Sequence, residues 1–314
     1  NLVGRYVLTY YLVVQSIDLK NIGQLKVFLS CISLSLFIVV IYGFMQAFLG
    51  IGLTSEQIVW TDGAMFPGLK TRVFSTWQNP NLLGGYFDLM LGLMAGMFLL
   101  IKHKIVRIVI AVLFCLTAFC LTLTYARGAC LSIALVIFVY SILYNRKVLL
   151  ALIGLAVILL LSDATLVDRM TSIFTKMDTS SEMRLAFWES TILDHPLLGI
   201  GWGSYFMVYP NYDYYMQGNF IKIVHAHNMY LNFMAEIGLF GFASYMICFF
   251  GVIYKAFKAH VMKLDILVKA MFLGIGLGLS ALALNGFTDY VMFNTELSML
   301  VWLFSGIVVS GYKN

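Results

Sequence analysis

Only four prolines, 11% charged residues and no serine/glycine-rich tract occur in 314 residues, which excludes a linker-dominated or disordered chain. Charge is scarce enough to exclude a soluble domain as well, since such domains are about a quarter charged. With 61% hydrophobic residues and a mean hydropathy of +0.90, the chain lacks the polar surface to cover a water-facing core. There is no CxxC pair and no other metal-ligand spacing. Cys31, Cys115, Cys120, Cys130 and Cys248 all fall in apolar runs, which excludes a disulfide framework and predicts small buried hydrophobes. The net charge of +5 is spread between apolar blocks and forms no patch, so nucleic acid is not an expected partner. A charged-then-apolar leader is missing too; the chain opens on Asn1, and we expect a fragment that lacks its true start.

What the sequence has is apolar length. A helix needs roughly 20 apolar residues to cross about 30 Å of hydrocarbon. Residues 25–50, 82–101, 105–124, 127–144, 228–254 and 266–285 meet that length. The shorter runs 147–162 and 297–312 qualify if neighbouring helices support them. The expected fold is an all-α integral membrane protein with about eight transmembrane helices. Residues 2–17 are apolar but carry Arg5, and read either as the tail of a span or as an interfacial helix. The chain divides into N-terminal spans (1–162, with a loop at 51–81), a large loop (163–227) and three C-terminal spans (228–314).

Lys20, Lys26, Lys102, Lys104, Arg107, Arg146, Lys147, Lys255, Lys258, Lys263, Lys269 and Lys313 fall in turns after alternate spans, with only Asp18 and Asp265 beside them. The positive-inside rule places these turns in the cytoplasm and both polar segments, 51–81 and 163–227, outside. Within the large loop, 181–194 reads as an amphipathic helix ended by Pro196 and the Gly199–Gly203 turn. Tyr205, Phe206, Tyr209, Tyr212, Tyr214 and Tyr215 suit a surface at headgroup level or a platform for sugar rings.

Chemistry concentrates on the outer side. His225-Ala226-His227-Asn228 precedes a span in which Gly238 and Gly241 follow. In one unbroken helix those glycines share a face with His227, which would let another helix approach and fix the imidazole. A pinned imidazole at a membrane boundary suits a general base; a water-satisfied interfacial histidine is the plain alternative. A metal site is a third reading, short of further His or Cys ligands. Arg127 interrupts an apolar stretch where positive charge is disfavoured, and Gly128 and Ala129 clear room beside it, as a bound anion would require. It is either a snorkelling arginine or, with Arg184 in the large loop, part of a phosphate site, because guanidinium grips phosphate oxygens in a fork. Arg72 is a further candidate for that site, and Asn81 in Asn79-Pro80-Asn81 reads as a helix N-cap. Asp289 either orients a histidine, binds a sugar hydroxyl or is an ordinary loop residue. Asp88 and Glu236 lie within spans and are expected to face protein; helical phase separates Glu236 from His227.

The order Arg127-Gly128, Arg184, His195-Pro196-x-x-Gly199-x-Gly201, His227-Asn228, Gly238 and Gly241 resembles the O-antigen ligase and O-antigen polymerase family of bacterial membrane glycan transferases. The resemblance spans roughly 70–314 and is most specific over His227–Gly241. It implies a metal-independent glycosyltransferase of surface polysaccharide (lipopolysaccharide or capsule) biosynthesis in the cytoplasmic membrane, with its active site on the extracytoplasmic side. It further implies an undecaprenyl-diphosphate-linked glycan donor, a glycan or lipid acceptor, and no cofactor. Under it the functional residues are His227 as catalytic base and Arg127 and Arg184 as diphosphate ligands, with His225, Arg72 and Asp289 as further candidates; the short Asn285–Leu297 loop argues against Asp289. A transporter or flippase of the same pathway is the competing reading, which the clustering of unusual charges at one face disfavours.

Overall fold

The computed structural model describes residues 2–53, 71–144, 196–211, 224–259 and 262–312, with single positions between 146 and 188 that include Arg184 and Trp188. Among these the chain is helical and has no strand. The elements are α1 (Leu2–Ser16), α2 (Ile22–Leu49), α3 (Pro80–Leu100), α4 (Lys104–Leu123), α5 (Arg127–Tyr144), the short α6 (Tyr205–Val208), α7 (Met229–Lys258), α8 (Ile266–Asn285) and α9 (Thr295–Ser310). The protein is an all-α membrane protein: α2, α3, α4, α5, α7 and α8 are each long and apolar enough to cross a bilayer. They coincide with the six long apolar runs. α9 is a shorter apolar helix, and the run 147–162 lies mostly outside the described residues. Of residues 2–17, Leu2–Ser16 form α1, which packs on α9 through Tyr10 and Trp302, rings 6.1 Å apart edge to face.

Asparagine side chains start four of the helices, and Asn21 caps α2 by accepting from the Gln24 N–H. Asn79 caps α3 by accepting from the Asn81 N–H, Asn228 caps α7 by accepting from Tyr230 and Leu231, and Asn294 caps α9 by accepting from Leu297. The expected cap at Asn81 is therefore displaced by two residues. Pro80 has no N–H to lose at the first helical position, so the cap falls on the residue before it.

α3 and α8 form the centre of the bundle, 89% and 78% buried over their most apolar stretches. Gly92 lies against Gly278 and Gly96 against Gly274, so closely that a Cβ on Gly92 or Gly96 would run into the partner backbone. Lipid tails give no hydrophobic drive to helix association, so this close approach is the main source of contact energy between spans. α2, α4, α5 and α7 surround the pair and turn Ile38, Val109, Leu135 and Ile247 outward. Cys31, Cys115 and Cys248 are on such outward faces, and only Cys120 is fully buried. The expectation of uniformly buried cysteines fails because an apolar side chain facing lipid has no need of protein cover.

α3, α5, α7 and α9 begin at one end of the bundle, where α2, α4 and α8 finish. Hydrogen bonds join these ends directly: Arg72 Nε to Thr124 O (2.8 Å), Asn81 Nδ2 to Asp289 Oδ2 (2.6 Å) and Asn228 Nδ2 to Phe287 O (3.1 Å). The candidate site is this junction. Lys102 in the turn after α3, and Lys104, Lys255, Lys258 and Lys269 in the terminal turns of α4, α7 and α8, lie at the other end.

Candidate functional site

His227 lies just before α7 with its backbone in the left-handed region, φ 48°. A non-glycine residue is uncommon there and costs on the order of 1–2 kcal/mol. The conformation is held by neighbours. His225 Nδ1 accepts the His227 N–H (3.2 Å), Trp188 Nε1 donates to Ala226 O (2.9 Å), and Ala226 N donates to Asn232 Oδ1 (3.0 Å). The two imidazoles sit on the same side, ring centroids 4.2 Å apart, as an extended entry to the span requires. His225 is buried between His227 and Phe293, whose ring lies 4.5 Å away. Burial, followed by the His227 and Arg184 charges, pulls its pKa down to about 3 against the pull of Asp289. It is therefore neutral, and its Nδ1 is free to act as the acceptor just described.

The short connection after α8 brings Asp289 to His227. Thr288 N and Asp289 N both bond back to Asn285 O (2.9 and 3.0 Å), and Met229 N bonds to Gly286 O (2.7 Å), which ties this turn to the start of α7. Asp289 Oδ1 then lies 3.1 Å from His227 Nδ1 and accepts from Tyr290 N at 2.8 Å. Burial would raise this carboxyl, but His227, His225 and Arg184 outweigh it and hold it below the ordinary carboxylate range. An ionised Asp289 accepts only from a protonated Nδ1, which fixes the tautomer and leaves the ring lone pair on Nε2. The shortness of this loop, which spoke against Asp289 in the sequence, is what puts it in place.

Beside this pair is a cavity of about 50 Å³ lined by Arg72, Arg127, Arg184, Asn285, Thr288 and Asp289 among others. Arg127 is the first residue of α5 and 8% exposed. Arg184 Nε is buried without a hydrogen-bond partner among the described residues, so this donor is left for something else to satisfy. Arg72 gives Nε to Thr124 O and Nη2 to Asn81 Oδ1 (2.8 Å each), so it is braced against protein even as it lines the cavity. Gly128 and Ala129 line the same cavity beside Arg127. A Cβ on Gly128 would meet Thr288 and Asn285, and Ala129 packs on Gly84. The small residues after Arg127 bring the end of α8 close and so help shape the cavity wall.

The reading of Gly238 and Gly241 as one helix face with His227 fails. α7 begins only at Met229 and is broken at Gly238 (φ 64°, ψ −179°), a backbone region open essentially to glycine alone. The break accepts the Pro196–Gly201 turn instead of another helix. Leu239 N bonds to Pro196 O (2.7 Å), Ile200 N to Ala235 O (3.0 Å) and Gly201 N to Glu236 O (2.9 Å), with Gly199 and Gly238 packed backbone to backbone. Glu236 and Asp88 are buried against protein, as expected. Glu236 accepts from Tyr205 N (3.2 Å) and Asp88 from Asn285 Nδ2 (3.1 Å), and neither contacts His227.

Two members of the aromatic stretch are buried, in place of the membrane-surface anchors expected. Tyr205 and Tyr209 stack at 5.3 Å in a small core with Ala226, Ala235 and Trp188. Tyr212, Tyr214, Tyr215, His195 and most of 181–194 lie outside the described residues. Sequence reasoning also passed over Asn232 and Trp188 and took Asn81 only for an N-cap; their polar contacts become visible once distant segments meet.

His225, His227 and Asp289 bring one donor atom each to within 4.8 Å of one another, the spacing of a partial metal site. In this geometry His227 Nδ1 faces Asp289, and His225 Nδ1 accepts a backbone N–H. The same atoms are engaged in hydrogen bonds with one another and with the backbone.

No curated protein and no solved structure matches the chain. Residues 110–246, which run from α4 through Arg127, Arg184, His225 and His227 into α7, match the family model described as O-antigen ligase. Over that stretch the chain is similar to O-antigen ligases and polymerases, which process membrane glycans in a glycosyltransferase-like way.

Proposed function

We propose that the protein transfers or polymerises an undecaprenyl-diphosphate-linked oligosaccharide on the extracytoplasmic face of the bacterial cytoplasmic membrane, without a metal. The observation that carries this reading is that an arginine-lined cavity and an imidazole share one carboxylate: Asp289 both lines the cavity and faces His227 Nδ1. An anion site and a base in contact are what glycosyl transfer from a diphosphate carrier needs.

His227 Nε2 takes the proton from an acceptor hydroxyl as that oxygen bonds to the anomeric carbon. The bond from that carbon to the diphosphate oxygen breaks, and the diphosphate leaves with the electron pair. Arg127 and Arg184 hold the diphosphate and offset its growing charge, commonly the largest single contribution in such sites. Asp289 keeps the ring in the accepting tautomer and stabilises the imidazolium. A diphosphate is a good leaving group, so neither a general acid nor a metal is required.

The test is reconstitution with a purified carrier-linked oligosaccharide, with and without a second acceptor, and gel analysis of the products. A ladder from carrier-linked donor alone identifies a polymerase, and a product formed only with a lipid acceptor identifies a ligase. Transfer that persists in a chelator supports the metal-independent reading. Transport of the intact donor with no new glycosidic bond would overturn it.

A further inference from the structure

Asn81 is placed as an N-cap by the sequence, yet the cap is Asn79, and the Asn81 side chain is engaged elsewhere. Its Nδ2 donates to Asp289 Oδ2 at 2.6 Å, and its Oδ1 accepts from Arg72 Nη2 at 2.8 Å. Arginine can only donate, so the carboxamide oxygen must face Arg72 and the amide nitrogen must face the carboxylate. The orientation is forced by the partners. Arg72 is in turn anchored on Thr124 O at the end of α4. The result is an unbroken line of hydrogen bonds from the end of α4 through Arg72, Asn81 and Asp289 to His227.

A carboxylate has two oxygens, and the direction of one fixes the other. Asp289 Oδ1 is shared by the Tyr290 N–H and His227 Nδ1. Without a donor on Oδ2, the group can turn about its Cβ–Cγ bond and leave His227 Nδ1 unsupported. Asn81 is on α3, the most buried span, and so ties the carboxylate to the rigid centre of the bundle.

We propose that Asn81, braced by Arg72, is a positioning residue that holds Asp289 in register with His227. The proposal rests on the reading of His227 as the base and adds to it a residue outside the family match at 110–246.

The experiment is a double-mutant cycle in the full chain, reconstituted in vesicles with undecaprenyl-diphosphate-linked oligosaccharide as donor. Asn81→Leu keeps the volume and removes both hydrogen bonds. It is expected to lower kcat about tenfold, the equivalent of about 1.4 kcal/mol, with donor KM unchanged. In an Asp289→Ala background the same substitution is expected to change kcat less than twofold, because the group it acts through is gone. Asn81→Asp, which keeps the shape and the Arg72 contact but sets a carboxylate against Asp289, is expected to be at least as impaired and guards against a folding defect in the leucine variant. Effects that multiply in the cycle, or a loss confined to donor KM, would overturn the proposal and make Asn81 a structural or diphosphate-binding residue. His227→Ala, assayed in parallel, separates the two readings: full activity there overturns the base assignment, whatever the cycle gives.

Discussion

Glycine lets backbones meet at two places in this molecule, in opposite ways. Between α3 and α8, Gly92 and Gly96 meet Gly278 and Gly274 in regular helix, with the buried Asp88–Asn285 hydrogen bond further along the same contact. At the rim, Gly238 and Gly199 meet with φ of +64° and +75°, and the contact exists to receive hydrogen bonds from an irregular turn. The seam stabilises the bundle and has no preferred chemistry. The rim gives up helical continuity, a left-handed histidine and three buried charges to gather His227, Asp289 and the arginines. Local departures from regular structure concentrate at the candidate site, and substitutions in the two regions should separate accordingly.

The largest separation is expected at His227. His227→Ala should reduce transfer by roughly 10²–10⁴-fold, the range for loss of a general base, while the thermal unfolding midpoint in detergent stays close to that of the parent. Next, Arg127→Ala and Arg184→Ala should each cost on the order of 10²-fold in turnover. Arg127→Lys should rescue poorly, since an ammonium cannot fork onto a phosphate. Full activity with lysine would reduce the role to plain charge.

Gly238→Ala crosses the comparison, because it is both a backbone and a site substitution. A Cβ there meets the Leu197 backbone in a conformation closed to alanine, so a loss of about 1–3 kcal/mol is expected, together with lower activity per folded molecule. Gly96→Val should destabilise by a similar amount through overpacking, about 1–3 kcal/mol, yet leave the activity of the folded fraction intact. Equal activity losses at Gly96 and Gly238 would erase the distinction between seam and rim.

The smallest effect concerns His225. Its pKa is depressed to about 3 when folded, so between the ordinary histidine value and 3 the unfolded chain binds the extra proton. Stability should therefore decline as pH falls from about 6.5 towards 3. His225→Asn should flatten that part of the unfolding profile while keeping an acceptor near the His227 N–H. An unchanged profile would mean that the His225 ring is not buried neutral.

The spans were legible because a bilayer demands long apolar runs, and six of them stand in the structure as helices. Arg127 and His227 stood out in the sequence because each is out of place, one charged in an apolar stretch and the other polar at a helix entry, whereas Arg184 in the polar loop is ordinary by itself and was singled out only beside them. Glycine was misread in both regions. Gly238 and Gly241 sit at helical spacing from His227, and periodicity cannot show a chain break that only a distant turn stabilises. The seam at Gly92, Gly96, Gly274 and Gly278 went unremarked because each pair looks ordinary until the opposite helix is known. Asn81 and Asp289 are 208 positions apart, and no local pattern connects them.

With binding proposed for the arginines and proton transfer for His227, equilibrium binding of undecaprenyl diphosphate tests that division most directly. Titration of the reconstituted protein should show affinity reduced at least tenfold in Arg127→Ala and Arg184→Ala and retained in His227→Ala, although the last is inactive in transfer. Retained affinity in both arginine variants, or its loss in His227→Ala, would contradict the assignment.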